Sequence, residues 1–126
     1  MQQMYTKITS MWTISQKDNE YQPAHGHANC NISSVMYLKI PEYLPNRNPR
    51  QQYDDGAITF INNTARDSIW GTSTMTIQPM VGDLLIFPAS MSHYVNPFRT
   101  VDGKGERRSA SFNTNFSSKK NTGHNE

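Results

Sequence analysis

The chain has 126 residues, of which 35% are hydrophobic and 17% charged, with a formal net charge of +2 and a mean hydropathy of −0.73. That is enough for one domain around one core. The basic residues are dispersed, two of them as Lys119-Lys120 in a polar C-terminal stretch, and no apolar run approaches 18 residues; a nucleic-acid face and a membrane-spanning helix are both excluded by pattern.

The elements in chain order are strands. Tyr5 to Ser15 alternates Ile8, Ser10, Trp12 and Ile14 and reads as the first. Residues 16–22 read as a polar turn, and His25 to Asn31 as irregular chain leading into a strand over 32–40, where Val35 and Tyr37 share one face and Met36 and Leu38 the other. Pro41 stops it. Residues 41–55 carry no periodicity and form a long loop, a natural lid. Strands follow over 56–61, over 69–79 with an interruption at Gly71, and over 84–87, the last read as buried and entered from a Gly82-Asp83 turn. Another begins around His93, and a final one runs over 107–116 after the turn Gly103 to Glu106. Seven or eight short strands without an amphipathic helix predict an all-β sandwich or barrel. The domain is expected over residues 1–116, with 117–126 as a disordered polar tail.

Cys30 is the single cysteine, which rules out an internal disulfide framework and fits a reducing, cytoplasmic setting, that of the host if the source is viral. Because the chain opens almost directly into strand-like sequence, its N-terminal part is expected to be shortened relative to a full domain, or completed by a partner such as a second copy.

Three of the four histidines lie beside strand-like stretches. His25 and His27 are separated by one small residue, so in extended chain both imidazoles point to one side and can serve one ion. His93 follows the strand ending at Pro88, while His124 lies in the polar tail and is read as a spectator. An H-x-H pair alone is a weak signal, since paired histidines are often surface or core-edge residues. The arginines strengthen it. In an alternating strand either Arg107 or Arg108 must face inward, and an inward guanidinium needs an anion, structural or bound. Arg107 would share its face with Ser109 and Ser111, Arg108 with Ala110 and Phe112; the hydroxyl companions favour Arg107 as the anion site.

The ordered set His25-x-His27, Val35-Met36-Tyr37-Leu38, Gly82 to Pro88, His93 and Arg107-x-Ser109 with Ser111-Phe112-Asn113 resembles the iron(II)/2-oxoglutarate-dependent dioxygenases. The resemblance is greatest to the small oxygenases of marine phages and bacteria that are similar to prolyl hydroxylases, and it covers roughly residues 12–116. It implies a double-stranded β-helix (jelly roll, cupin-like) and hydroxylation of an unidentified substrate with O2 and 2-oxoglutarate, releasing succinate and CO2. It also implies His25, His27 and His93 as Fe(II) ligands, and Arg107, Ser109 and Tyr37 as the residues around the far carboxylate of 2-oxoglutarate. Val35, Tyr37, Leu84 and Ile86 would form the pocket wall.

His27 departs from the wider pattern, which places Asp or Glu there, so three neutral imidazoles would replace the two-histidine, one-carboxylate triad. Asp54 or Asp55 from the loop is the alternative third ligand. Other readings are a closed zinc site of His25, His27, Cys30 and His93, a cupin-type three-histidine dioxygenase that does not use 2-oxoglutarate, and a β-roll binding module without catalysis.

Overall fold

The computed structural model describes residues 4–45, 54–61 and 73–118, and the described residues form eight strands and no helix. They are β1 (Tyr5–Lys17), β2 (Gln22–His25), β3 (Ile32–Lys39), β4 (Ile58–Ile61), β5 (Thr74–Ile77), β6 (Leu84–Pro88), β7 (Ser92–Val95) and β8 (Glu106–Ser117). Two four-stranded sheets result, ordered β1-β8-β3-β6 and β2-β7-β4-β5, with every pairing antiparallel. This is the expected jelly roll. Side chains of the two inner faces meet in a core of Val35, Tyr37 and Phe87 from the first sheet and Ile58, Phe60 and Val95 from the second.

β8 is the spine of the larger sheet, paired along its whole length to β1 and along most of it to β3. Its alternation is clean: Arg107, Ser109 and Ser111 are buried, and Arg108 is exposed. Opposite them in register stand Gln16, Ile14 and Trp12 of β1, and from β3 Tyr37 faces Ser109 while Val35 faces Ser111.

Several expectations are corrected. β1 continues through Gln16 and Lys17 rather than turning at Gln16, because the alternation of Trp12 and Ile14 carries on and Gln16 finds buried partners. β6 is not a buried strand but the edge of its sheet. Leu84 is 48% and Ile86 64% exposed, so they point away from the pocket, and Leu85 and Phe87 turn inward. Strand periodicity explains this, since residues i and i+2 share a face and only one of the two pairs can face the core. β2 is a short strand where none was expected, between the end of the turn read over 16–22 and the irregular chain read from His25, and Pro23 is tolerated because β2 lies on a sheet edge. Of the strand expected over 69–79, β5 forms the described part; residues 69–72, the loop residues 46–53, and the tail from 119 with His124 lie outside the described residues.

Candidate active site

β7 lies between β2 and β4, which sets His93 directly opposite His25 on one side and Phe60 on the other. His27 follows β2, its backbone N–H donating to the carbonyl of Ala89 at 2.9 Å, so the chain just past the strand is pinned beside the end of β6. The ligand nitrogens of His25, His27 and His93 all lie within 4.8 Å of one another, with ring centroids 4.3 Å apart for His25 and His93 and 5.4 Å for each pair with His27. Among the described residues no other group of histidine, cysteine or carboxylate side chains gathers in this way.

Two backbone carbonyls orient the rings. His25 Nδ1 lies 2.7 Å from the carbonyl oxygen of Pro23, and His93 Nδ1 lies 3.0 Å from that of Met91. A carbonyl only accepts, so Nδ1 carries the proton in both rings and Nε2 keeps its lone pair for a metal. Burial pushes the pKa of His27 and His93 below the usual imidazole value, with charge on His25 adding to the effect in both. His93 is 4% exposed and packed edge-on against Phe87 at 4.9 Å, and Trp12 lies 5.7 Å from His27.

The same cavity is lined by Arg107, Ser109, Ser111 and Tyr37 and walled by Val35, Ile58, Phe87 and Val95. Arg107 is 3% exposed, and its guanidinium carbon lies 4.8 Å from the centre of the Tyr37 ring. The ion pairs of the described residues join Glu106 to Lys17, Lys39 and Arg108, and Asp55 to Arg99; Arg107 takes part in none of them. Its Nη1 donates to Gln16 Oε1 at 2.7 Å, and its Nε has no partner. The hydroxyls of Tyr37 and Tyr43 are likewise buried without partners. Burial raises the pKa of both phenols against the opposing charge of Arg107, so both keep their protons at neutral pH and can donate.

The six residues expected at the site therefore line one cavity. Cys30 does not join them: Asn29 adopts a left-handed φ of 59°, and Cys30 lies instead in a separate groove with Lys7, Thr9 and Asn115, so the closed four-ligand zinc site is not built. Asp55 pairs with Arg99 at 3.2 Å, and neither it nor Asp54 approaches the histidines as a third ligand. Gln16, which bonds Arg107, and Phe87, which lines the cavity, were not anticipated. For Gln16 the signal existed, as the next inward position after Trp12 and Ile14.

Residues 10–113 match the model of a family described as "Putative 2OG-Fe(II) oxygenase". The chain belongs to the 2OG-Fe(II) oxygenase family. No curated protein matches the sequence. Among solved structures, an oxidoreductase of the 2OG-Fe(II) oxygenase family from Burkholderia pseudomallei shares 14% identity over 91% of this chain and 46% of its own, with a TM-score of 0.63. A Pseudomonas putida prolyl-4-hydroxylase shares 19% over 82% and 49%, with a TM-score of 0.55. Streptomyces hygroscopicus HygX with nickel and 2-oxoglutarate bound shares 12% over 87% and 57%, with a TM-score of 0.58. This 2OG-Fe(II) oxygenase chain thus has their fold and spans about half their length.

The cofactors of the family are iron(II) and 2-oxoglutarate, and the residues present fit both. Three imidazoles, two with the tautomer fixed by a carbonyl, are a donor set suited to a divalent first-row metal. A buried guanidinium without a carboxylate, beside an unpartnered phenol, suits the far end of a diacid.

Proposed function

We propose that this chain is an iron(II)- and 2-oxoglutarate-dependent oxygenase in which His25, His27 and His93 hold the metal and Arg107, Ser109 and Tyr37 hold the far carboxylate of 2-oxoglutarate. The observation that carries the reading is that an unpaired, buried guanidinium and three clustered imidazoles line one cavity. When bound, iron supplies oxygen activation coupled to conversion of 2-oxoglutarate to succinate and CO2, with oxidation of a C–H bond in the primary substrate.

The chain's own residues bind, orient and exclude water. The Pro23 and Met91 carbonyls keep the protons of His25 and His93 on Nδ1, away from the metal position. Arg107 neutralises the far carboxylate, and the Tyr37 hydroxyl, protonated at neutral pH, donates to it. Val35, Ile58, Phe87 and Val95 wall the cavity with apolar surface, which lowers the local dielectric and strengthens each charge-assisted bond. Three imidazoles leave the metal site one unit more positive than a site with a carboxylate ligand.

The test is succinate. Protein loaded with Fe(II) without oxygen, then given 2-oxoglutarate and air, should form succinate slowly even without a primary substrate, and the His93→Ala variant should form none. The neutral three-histidine set also favours a second reading, a dioxygenase in which Arg107 binds the carboxylate of the substrate itself. Oxygen uptake that is independent of 2-oxoglutarate would decide for that reading.

A further inference from the structure

Gln16 stands directly opposite Arg107 in the β1–β8 register and is as deeply buried, at 3% exposure. Its amide can adopt only one orientation. Nε2 donates to the carbonyl oxygens of Glu20 at 2.6 Å and Asn96 at 3.2 Å, and Oε1 accepts from Arg107 Nη1 at 2.7 Å. Flipping the amide would set its NH2 against the guanidinium, donor against donor, and its oxygen against two carbonyls. Three hydrogen bonds thus hold the negative end of an amide dipole against the arginine.

The amide steers the guanidinium without neutralising it. Buried arginines ordinarily meet a carboxylate, and a carboxylate at position 16 would match the amide in size while cancelling the charge. Here the structural partner is neutral, Nε is left without a partner, and the formal charge of Arg107 stays available to the cavity.

We propose that Gln16 is a positioning residue that acts through Arg107 and thereby sets the preference of the site for a diacid. The inference rests on the cosubstrate reading given above and goes beyond it in naming what keeps the anion site charged and aimed. Its consequence is specific. Gln16 should matter for a ligand that carries a far carboxylate and not for one that has only the chelating 2-oxo acid end.

The test compares 2-oxoglutarate with 2-oxopentanoate, which has the same carbon chain and no far carboxylate, by calorimetric titration of the Mn(II)-loaded protein without oxygen. Wild type should prefer 2-oxoglutarate by about ten- to a hundredfold, the range of a charge-assisted hydrogen bond. Gln16→Met removes the orienting acceptor and should cut that preference about tenfold while leaving 2-oxopentanoate and Mn(II) affinities unchanged. Gln16→Glu should abolish the preference. It also sets a carboxylate oxygen against the Glu20 and Asn96 carbonyls, so if that variant does not fold, Gln16→Met alone decides. Equal loss of affinity for both ligands, or a wild-type ratio in Gln16→Met, would mean a purely structural glutamine and overturn the inference. A wild type that does not distinguish the two ligands would instead overturn the cosubstrate reading and take this inference with it.

Discussion

His25 and His93 lie directly opposite each other across the β2–β7 pair, their ring centroids 4.3 Å apart and each Nδ1 turned to a backbone carbonyl two residues upstream in its own strand region. A strand pairing has therefore brought two distant parts of the chain into one donor set, with His27 completing it. His93→Ala should abolish stoichiometric Mn(II) or Fe(II) binding, read by elemental analysis after gel filtration, while the circular dichroism of the β sandwich persists. Retained metal at wild-type stoichiometry would remove His93 from the ligand set.

Acid should weaken the metal-free protein in a defined window. His27 and His93 have folded-state pKa values below the 6.5 expected of the unfolded chain, chiefly through burial. Between those values the unfolded state binds more protons than the folded state, so stability rises with pH there and falls on acidification below about 6.5. Glu106 behaves oppositely in origin and lower in range: hydrogen bonds from Ser15, Arg108, Lys39 and Lys17 depress its pKa, so its contribution is present above 4.5 and is lost only further into acid. Melting temperatures measured from pH 8 to 5 should be level above pH 7 and decline below 6.5, with Mn(II) shifting the decline to lower pH. A metal-free protein that gains stability between pH 7 and 5.5 would contradict this assignment.

Arg107→Met should separate stability from ligand binding. It removes a buried charge that has no carboxylate partner, which offsets the loss of the bond to Gln16, so the net change in stability should stay within about 2 kcal/mol. Affinity for 2-oxoglutarate should fall about a hundredfold with metal stoichiometry intact. Unchanged 2-oxoglutarate affinity, measured by titration, would take the anion site away from Arg107.

Gly56 tests how the second phenol is accommodated. Its φ is +68°, and an added Cβ would overlap the Tyr43 hydroxyl and lie 2.7 Å from the adjoining ring carbon. Gly56→Ala should therefore destabilise the fold by about 1–3 kcal/mol, from left-handed backbone strain and displacement of Tyr43 together. A melting temperature equal to wild type would show that the ring has room to move.

The fold was legible wherever one face of a strand is buried. Alternation in 107–116 marks Arg107 as inward through its hydroxyl companions, and the same rule applied to β1 reaches Gln16 two residues after Ile14, but the polar run from Gln16 to Gln22 reads as a turn. A glutamine looks like surface until the carbonyls of Glu20 and Asn96 and the guanidinium of Arg107 are seen to satisfy it. β6 misled in the other direction. Leu84, Leu85, Ile86 and Phe87 are uniformly apolar, and a run without alternation does not reveal which pair turns inward or that the strand lies on an edge. Cys30 shows a third limit, because sequence proximity to His27 says nothing once the left-handed turn at Asn29 redirects the chain. The convergence of three imidazoles was expected from their placement beside strands and from the family resemblance, while the carbonyls that fix the tautomers of His25 and His93 belong to the backbone and leave no mark on residue identity.

The most direct measurement is the visible absorption of Fe(II)-loaded protein titrated with 2-oxoglutarate in the absence of oxygen. A 2-oxo acid chelated to iron held by His25, His27 and His93 should develop a saturable metal-to-ligand charge-transfer band, absent with Zn(II) and lost in His93→Ala. The band should need a much higher 2-oxoglutarate concentration in Arg107→Met. Fe(II) that binds at one equivalent yet gives no such band at saturating 2-oxoglutarate would contradict the account.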